Sequence, residues 1–163
     1  MWGTIISILL FGILCTTFVH LAYRDKLAKE NMSFVETMSL TGLPIATFTH
    51  GDKTYNFILD TGSNCSIIDE RYAQEMSYDK IPDSHRVYGL SAVSKEGGFG
   101  VFHLNYKGKE YDVECEILDM KPTFDKMKAC YGVTLHGVLG SDFLRAYRYV
   151  LDFNELIAYS LKK

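Results

Sequence analysis

Phe57-Ile58-Leu59-Asp60-Thr61-Gly62-Ser63 is a run of three apolar residues ending in a carboxylate, a hydroxyl, a glycine and a second hydroxyl. Such a pattern delivers an acid to the end of a buried strand. Peptide-bond hydrolysis without a metal or a protein nucleophile needs one carboxylate to activate water and another to protonate the carbonyl oxygen. Two adjacent carboxyls sharing one proton can do both. Asp60 would be half of such a pair. Gly62 allows a tight turn, and the Thr61 and Ser63 hydroxyls can hold carboxylate and backbone in register. Taken alone, the same residues equally suit an ordinary β-turn in which Asp and Gly serve turn geometry.

Upstream, Pro44 to Phe48 and Tyr55 to Leu59 flank the turn residues Gly51-Asp52-Lys53, which predicts a β-hairpin feeding the strand that ends at Asp60. Downstream, Asp69 to Met76 carries helix formers behind an acidic start, which predicts a short helix. Val87 to Leu118 reads as two hairpins, with a glycine cluster at Gly97, Gly98 and Gly100 and a turn at Lys107-Gly108-Lys109. Asp119 to His136 holds Pro122 and several lysines and reads as a loop or insertion. Ser141 is placed to cap a short helix reaching Tyr147, and Tyr149 to Phe153 with Leu156 to Leu161 predicts a closing hairpin.

About 75 residues after Asp60 comes His136-Gly137-Val138-Leu139-Gly140-Ser141-Asp142-Phe143-Leu144. With it in view, Leu59 to Ser63 resembles the active-site signature of the retropepsin-like aspartic proteases. The later segment resembles that family's apolar-apolar-glycine element and the helix after it, and Tyr149 to Tyr159 is similar to its closing hairpin. The resemblance spans roughly residues 43 to 161. It implies a mainly β fold, a single-lobe closed β-barrel with short helices, and Val138, Leu139 and Gly140 packed behind the catalytic strand. It also places Tyr88, Gly89, Leu90 and Ser91 where the family carries its flap over bound peptide. No cofactor or metal is implied.

One Asp-Thr-Gly is present, and neither Asp142 nor Asp152 is followed by Thr-Gly. A two-lobed arrangement therefore cannot be built from one chain, and the resemblance implies a homodimer pairing Asp60 with its symmetry mate. A Ser63 hydroxyl donating to ionised Asp60 would favour the charged form and an acidic optimum. The alternative of another class is a peptide-binding or dimerisation module with weak or absent chemistry, since fold does not fix function.

Trp2 to Tyr23 contains no Asp, Glu, Lys or Arg. As a helix this run would extend roughly 33 Å, against a hydrocarbon layer of ~30 Å. Nothing basic precedes it, unlike the start of a cleaved leader, which predicts a retained transmembrane anchor. Arg24, Lys26 and Lys29 follow the run, which predicts a cytoplasmic location for the remainder. The expected organisation is an anchor over 2–23, a juxtamembrane linker over 24–40 and one protease-like domain over 41–163.

The net charge of −3 among 163 residues, with no long run of like charge, gives no basis for nucleic-acid binding. Cys15 lies within the apolar run, and the odd number left, Cys65, Cys115 and Cys130, argues against a disulfide framework and for thiols that act as small hydrophobes. The histidines at 20, 50, 85, 103 and 136 lack paired ligand spacing. Gly62 to Ser66 does not form a Gly-x-Ser-x-Gly elbow, and Cys65 has no local hydrolase signature.

Overall fold

A computed structural model of the chain describes residues 2–82 and 98–161. The segment assigned to the flap, Tyr88 to Ser91, lies outside the described residues. Strand β1 is Met32–Ser33, β2 Ile45–His50, β3 Lys53–Leu59, β4 Ser66–Asp69 and β5 Tyr78–Ile81. They are followed by β6 Phe99–Tyr106, β7 Lys109–Leu118, β8 Gly137–Leu139, β9 Tyr149–Asp152 and β10 Ile157–Ser160. The helices are α1 Trp2–Glu30, α2 Val35–Thr41, α3 Glu70–Ala73, α4 Lys121–Tyr131 and α5 Ser141–Ala146.

Period-two patterning builds the barrel walls. Along β7, Tyr111, Val113, Cys115 and Ile117 point inward while Glu110, Asp112, Glu114 and Glu116 alternate outward. Among the described residues, the strands run β2-β3-β8-β4-β7-β6, and a pairing of Thr49 with Asn105 joins β2 to β6 and closes the barrel. Strand β5 lies against β6, and β1, β10 and β9 form a separate antiparallel sheet. Phe48 sits at the centre of the core, edge-on to Phe57, Tyr111 and Phe143.

The middle of the segment read as a loop, Lys121–Tyr131 within 119–136, is helix α4. Pro122 falls in the first turn of α4, where its missing N–H costs nothing, and Gly132 ends the helix at φ 73° in the left-handed region. Phe124 and Met127, three residues apart, pack with Ile45, Leu135 and Val138 into a second core cluster outside the main one. The lysines that suggest a loop in sequence occupy the helix's other positions.

Helix α1 continues past the apolar run to Glu30, and the segment read as a linker holds secondary structure. Met32 and Phe34 are each 1% exposed and belong to the main core. The Ser33 N–H donates to the Tyr106 hydroxyl, and the Phe34 N–H donates to the Leu156 carbonyl. Alternating apolar residues too few to read as an element in sequence are recruited here by the edge of β10.

His136, just before β8, is partly buried against Tyr72 and Tyr55, and its Nδ1 accepts a hydrogen bond of 2.9 Å from the Asn56 N–H. Burial holds its pKa below the ordinary histidine value. A histidine with a folded pKa below its unfolded one contributes fully above pH ~6.5, and that contribution falls as acid protonates the unfolded chain first. His136→Asn, which keeps an acceptor near the Nδ1 position, should therefore flatten the fall in stability between about pH 6.5 and 5; a single proton can account for at most ~1.4 kcal/mol per pH unit. Urea midpoints measured across that range check it, and parallel pH profiles for the two proteins would refute it.

Candidate active site

Asp60 is exposed at the end of β3, immediately after the buried Leu59. Its backbone N–H donates to the Leu139 carbonyl at 2.9 Å, and its Oδ1 accepts from the Gly62 N–H at 2.8 Å. The side chain is thereby turned back over its own loop. An added Cβ on Gly62 would lie 3.1 Å from that same oxygen, so a side chain there would crowd the carboxylate.

The structure brings the two motifs together. Strand β8 lies parallel to β3, pairing Phe57, Ile58 and Leu59 with Gly137, Val138 and Leu139. On its other side β8 runs antiparallel to β4, opposite Ile67 and Ile68. Val138 is 8% exposed and Leu139 fully buried, one facing each core cluster. The Ser141 N–H donates to the Ser63 carbonyl at 2.8 Å and ties the loop to the start of α5.

Ser63 and Ser141 differ from their sequence-based roles. The Ser63 hydroxyl donates to the Cys65 carbonyl at 2.6 Å and so braces the loop instead of bonding Asp60. Helix α5 begins at Ser141 itself, with Gly140 at the N-cap and no side-chain cap, while Asp142 Oδ1 accepts from the Phe143 N–H. Thr61 is exposed.

Two residues not singled out in sequence hold the site together. Asp142 accepts from the Ser66 N–H at 2.9 Å and from the Ser66 hydroxyl at 2.8 Å, and that hydroxyl accepts in turn from the Gly140 N–H. Ser66 is fully buried, and this network buckles the Asp60 loop to the β8–α5 junction. Seventy-six positions separate the pair, so no local pattern announces it. A cavity of about 410 Å³ lies behind the loop, lined by Asn64, Cys65, Asp142 and Tyr147 among others; Asp60 is not on its wall.

Gly140 shows how tight the junction is. A Cβ there would lie 2.5 Å from the Cys65 carbonyl oxygen and 2.7 Å from its carbon, which are backbone atoms of the loop itself. Gly140→Ala should destabilise the fold by about 1–3 kcal/mol through overpacking. A denaturant midpoint unchanged from the parent would show that the loop yields freely.

A family profile described as aspartyl protease matches residues 46–143, which is more than half of the chain and runs from before the Asp60 loop to Phe143 in the second motif. The chain belongs to the aspartyl protease family. Among solved structures, the retroviral protease-like domain of Ddi1 from Leishmania major matches with a TM-score of 0.50 at 12% identity, covering 74% of this chain and 90% of that one. EIAV protease in complex with the inhibitor HBY-793 gives a TM-score of 0.39 at 15% identity, covering 64% and 86%. No curated protein matches this chain at a significant level. The fold of this aspartyl protease family member is retropepsin-like, a closed six-strand barrel with few short helices and one N-terminal apolar helix. Among the described residues, no group of three or more His, Cys, Asp or Glu side chains is placed to hold a metal.

Proposed function

We propose that the chain is an aspartic endopeptidase, in which a water held between the Asp60 carboxylates of two copies attacks a peptide bond. One carboxylate takes the water's proton while the other, protonated, donates to the carbonyl oxygen, and both roles need the pair. The observation that carries this reading is Asp60 itself. It is exposed at the end of a core strand and oriented by the Gly62 N–H, within the segment that matches the family. The chain has one Asp-Thr-Gly, so the second carboxylate must come from another copy through a two-fold interface. Thr61, Gly62 and Ser63 shape the loop, and Val138, Leu139 and Gly140 support it from behind.

The anchor belongs to the same proposal. Helix α1 has a mean hydropathy of 2.3 in its most apolar window, and its length and composition suit a single crossing. A retained anchor is favoured over a cleaved leader because α1 runs unbroken to Glu30 and its end is held by the barrel: Lys107 donates to the carbonyls of Ala28, Lys29 and Asn31. With Arg24, Lys26 and Lys29 after the span, the barrel domain, whose core takes in Met32 and Phe34, would face the cytoplasm. Tethering in a membrane raises the effective concentration of copies and favours their pairing.

The detergent-solubilised chain should cleave a peptide library at some point between about pH 4 and 7.5, with specific activity rising with protein concentration as dimers form. Cleavage by a species that stays monomeric by sedimentation would refute the shared pair. Peptide binding without cleavage across that range would make the protein a binding module of the same fold.

A further inference from the structure

The turn between β9 and β10, Phe153-Asn154-Glu155-Leu156, is fixed and carries an aromatic side chain that the fold does not use fully. Asp152 Oδ1 accepts from the backbone N–H groups of both Asn154 and Glu155, which locks the turn. Phe153 is 56% exposed, with its ring centroid 5.7 Å from that of the buried Phe34. The ring sits over the core with half its surface turned outward.

The position of this turn along α1 gives that exposure a meaning. Glu155 meets Arg24 at 3.8 Å, and Arg24 is the first residue after the uncharged run. The second tie, from Lys107 to the carbonyls of residues 28, 29 and 31, lies about 6–10 Å farther along the helix axis. Two ties at two heights fix the barrel's attitude to the helix, with the β9–β10 turn at the height nearer the apolar run. The headgroup layer of one leaflet is about 5–7 Å deep, so a turn level with Arg24 lies inside it. A cleft of about 560 Å³ between α1 and the barrel is lined largely by polar and charged side chains, Arg24, Asp25, Glu36 and Glu155 among them, and reaches Leu21, a residue within the apolar run. The domain thus comes up against the end of the apolar run at this turn.

We infer that the β9–β10 turn is a second membrane contact, with the Phe153 ring seated in the headgroup layer of the bilayer that holds α1. This rests on the reading of α1 as an anchor. Apolar side chains of segments lying on a membrane, Phe among them, insert into the boundary between headgroups and acyl chains. The carboxylates at the turn are engaged, Glu155 by Arg24 and Asp152 by backbone N–H groups, so a zwitterionic surface suits it without any need for anionic lipid. The consequence is orientational: the barrel, and Asp60 with it, is held at a set height and tilt above the membrane.

Trp2 is the only tryptophan, so the full-length double variant Trp2→Phe, Phe153→Trp carries a single reporter at the turn. Reconstituted in phosphatidylcholine vesicles, its emission should be blue-shifted, shielded from aqueous iodide and reduced about twofold or more by lipid brominated near the headgroup end of the acyl chain. Adding Arg24→Ala should remove the tie between the turn and α1 and weaken that quenching. A carbonate-resistant chain whose introduced indole emits as in water and is quenched by iodide alone would overturn the second contact while sparing the anchor. Extraction of the chain by carbonate would overturn the anchor and, with it, this contact.

Discussion

Asp60→Asn should reduce peptide cleavage by about 10³-fold while leaving the melting temperature and the dimer unchanged. The substitution is nearly isosteric, and an amide oxygen can still accept the 2.8 Å hydrogen bond from the Gly62 N–H, so the loop has no reason to move. What is lost is the ability to take a proton from water. Because the proposed site takes one carboxylate from each copy, mixing gives a sharper result. When equal amounts of parent and variant exchange subunits at random, only about a quarter of the dimers keep two aspartates, whereas independent monomeric sites would retain about half the activity. Activity that falls only to half would exclude the shared pair. Cleavage undiminished in the pure variant would remove Asp60 from the chemistry altogether.

Arg71→Ala should cost about 3–5 kcal/mol and lower the melting temperature by roughly 10 °C. Asp69, at the end of β4, is fully buried, and Arg71 grips it with Nε on Oδ1 at 2.9 Å and Nη2 on Oδ2 at 2.7 Å. The same guanidinium reaches Asp125 on α4 at 3.0 Å. Truncation leaves a buried carboxylate whose remaining bond is to the Arg71 backbone N–H, and it unties α4 from the barrel. The large cost reflects that stranded charge more than the value of the pair, since exposed ion pairs contribute little. Adding Asp69→Asn to the truncated protein should therefore recover part of the loss. A shift of less than about 2 °C in thermal unfolding of Arg71→Ala would show that water solvates Asp69 in its place.

The parts of the fold that are legible in sequence are those whose cause is local. The β2–β3 hairpin follows from turn residues between two apolar runs, and β7 follows from strict alternation. Asp69 opening α3 follows from its carboxylate, which accepts from the Arg71 N–H. Helix α4 is hidden because Pro122 and the lysines argue against a helix locally. Its formation depends on Phe124 and Met127 finding Ile45 and Val138, which are distant in sequence. Strand β1 is hidden for a similar reason, since two residues have no periodicity to read until β10 offers an edge.

The candidate site divides in the same way. By itself the sequence determined that an acid ends an apolar strand at Asp60, that a Gly-containing loop follows, that a second apolar-glycine element lies farther on, and that the first 23 residues carry a run without charge. Those are properties of composition and short-range order, which a chain states wherever it is read. Only the tertiary structure decided that β8 threads between β3 and β4, that Ser66 and Asp142 buckle the loop, and that the Ser63 hydroxyl turns to the Cys65 carbonyl instead of to Asp60. It also set Lys107 and Glu155 against α1. Apart from the Ser63 bond, whose direction follows from the path the closed loop takes, each of these joins groups far apart in the chain. A hydrogen bond or ion pair depends on distance in space, which sequence separation does not encode.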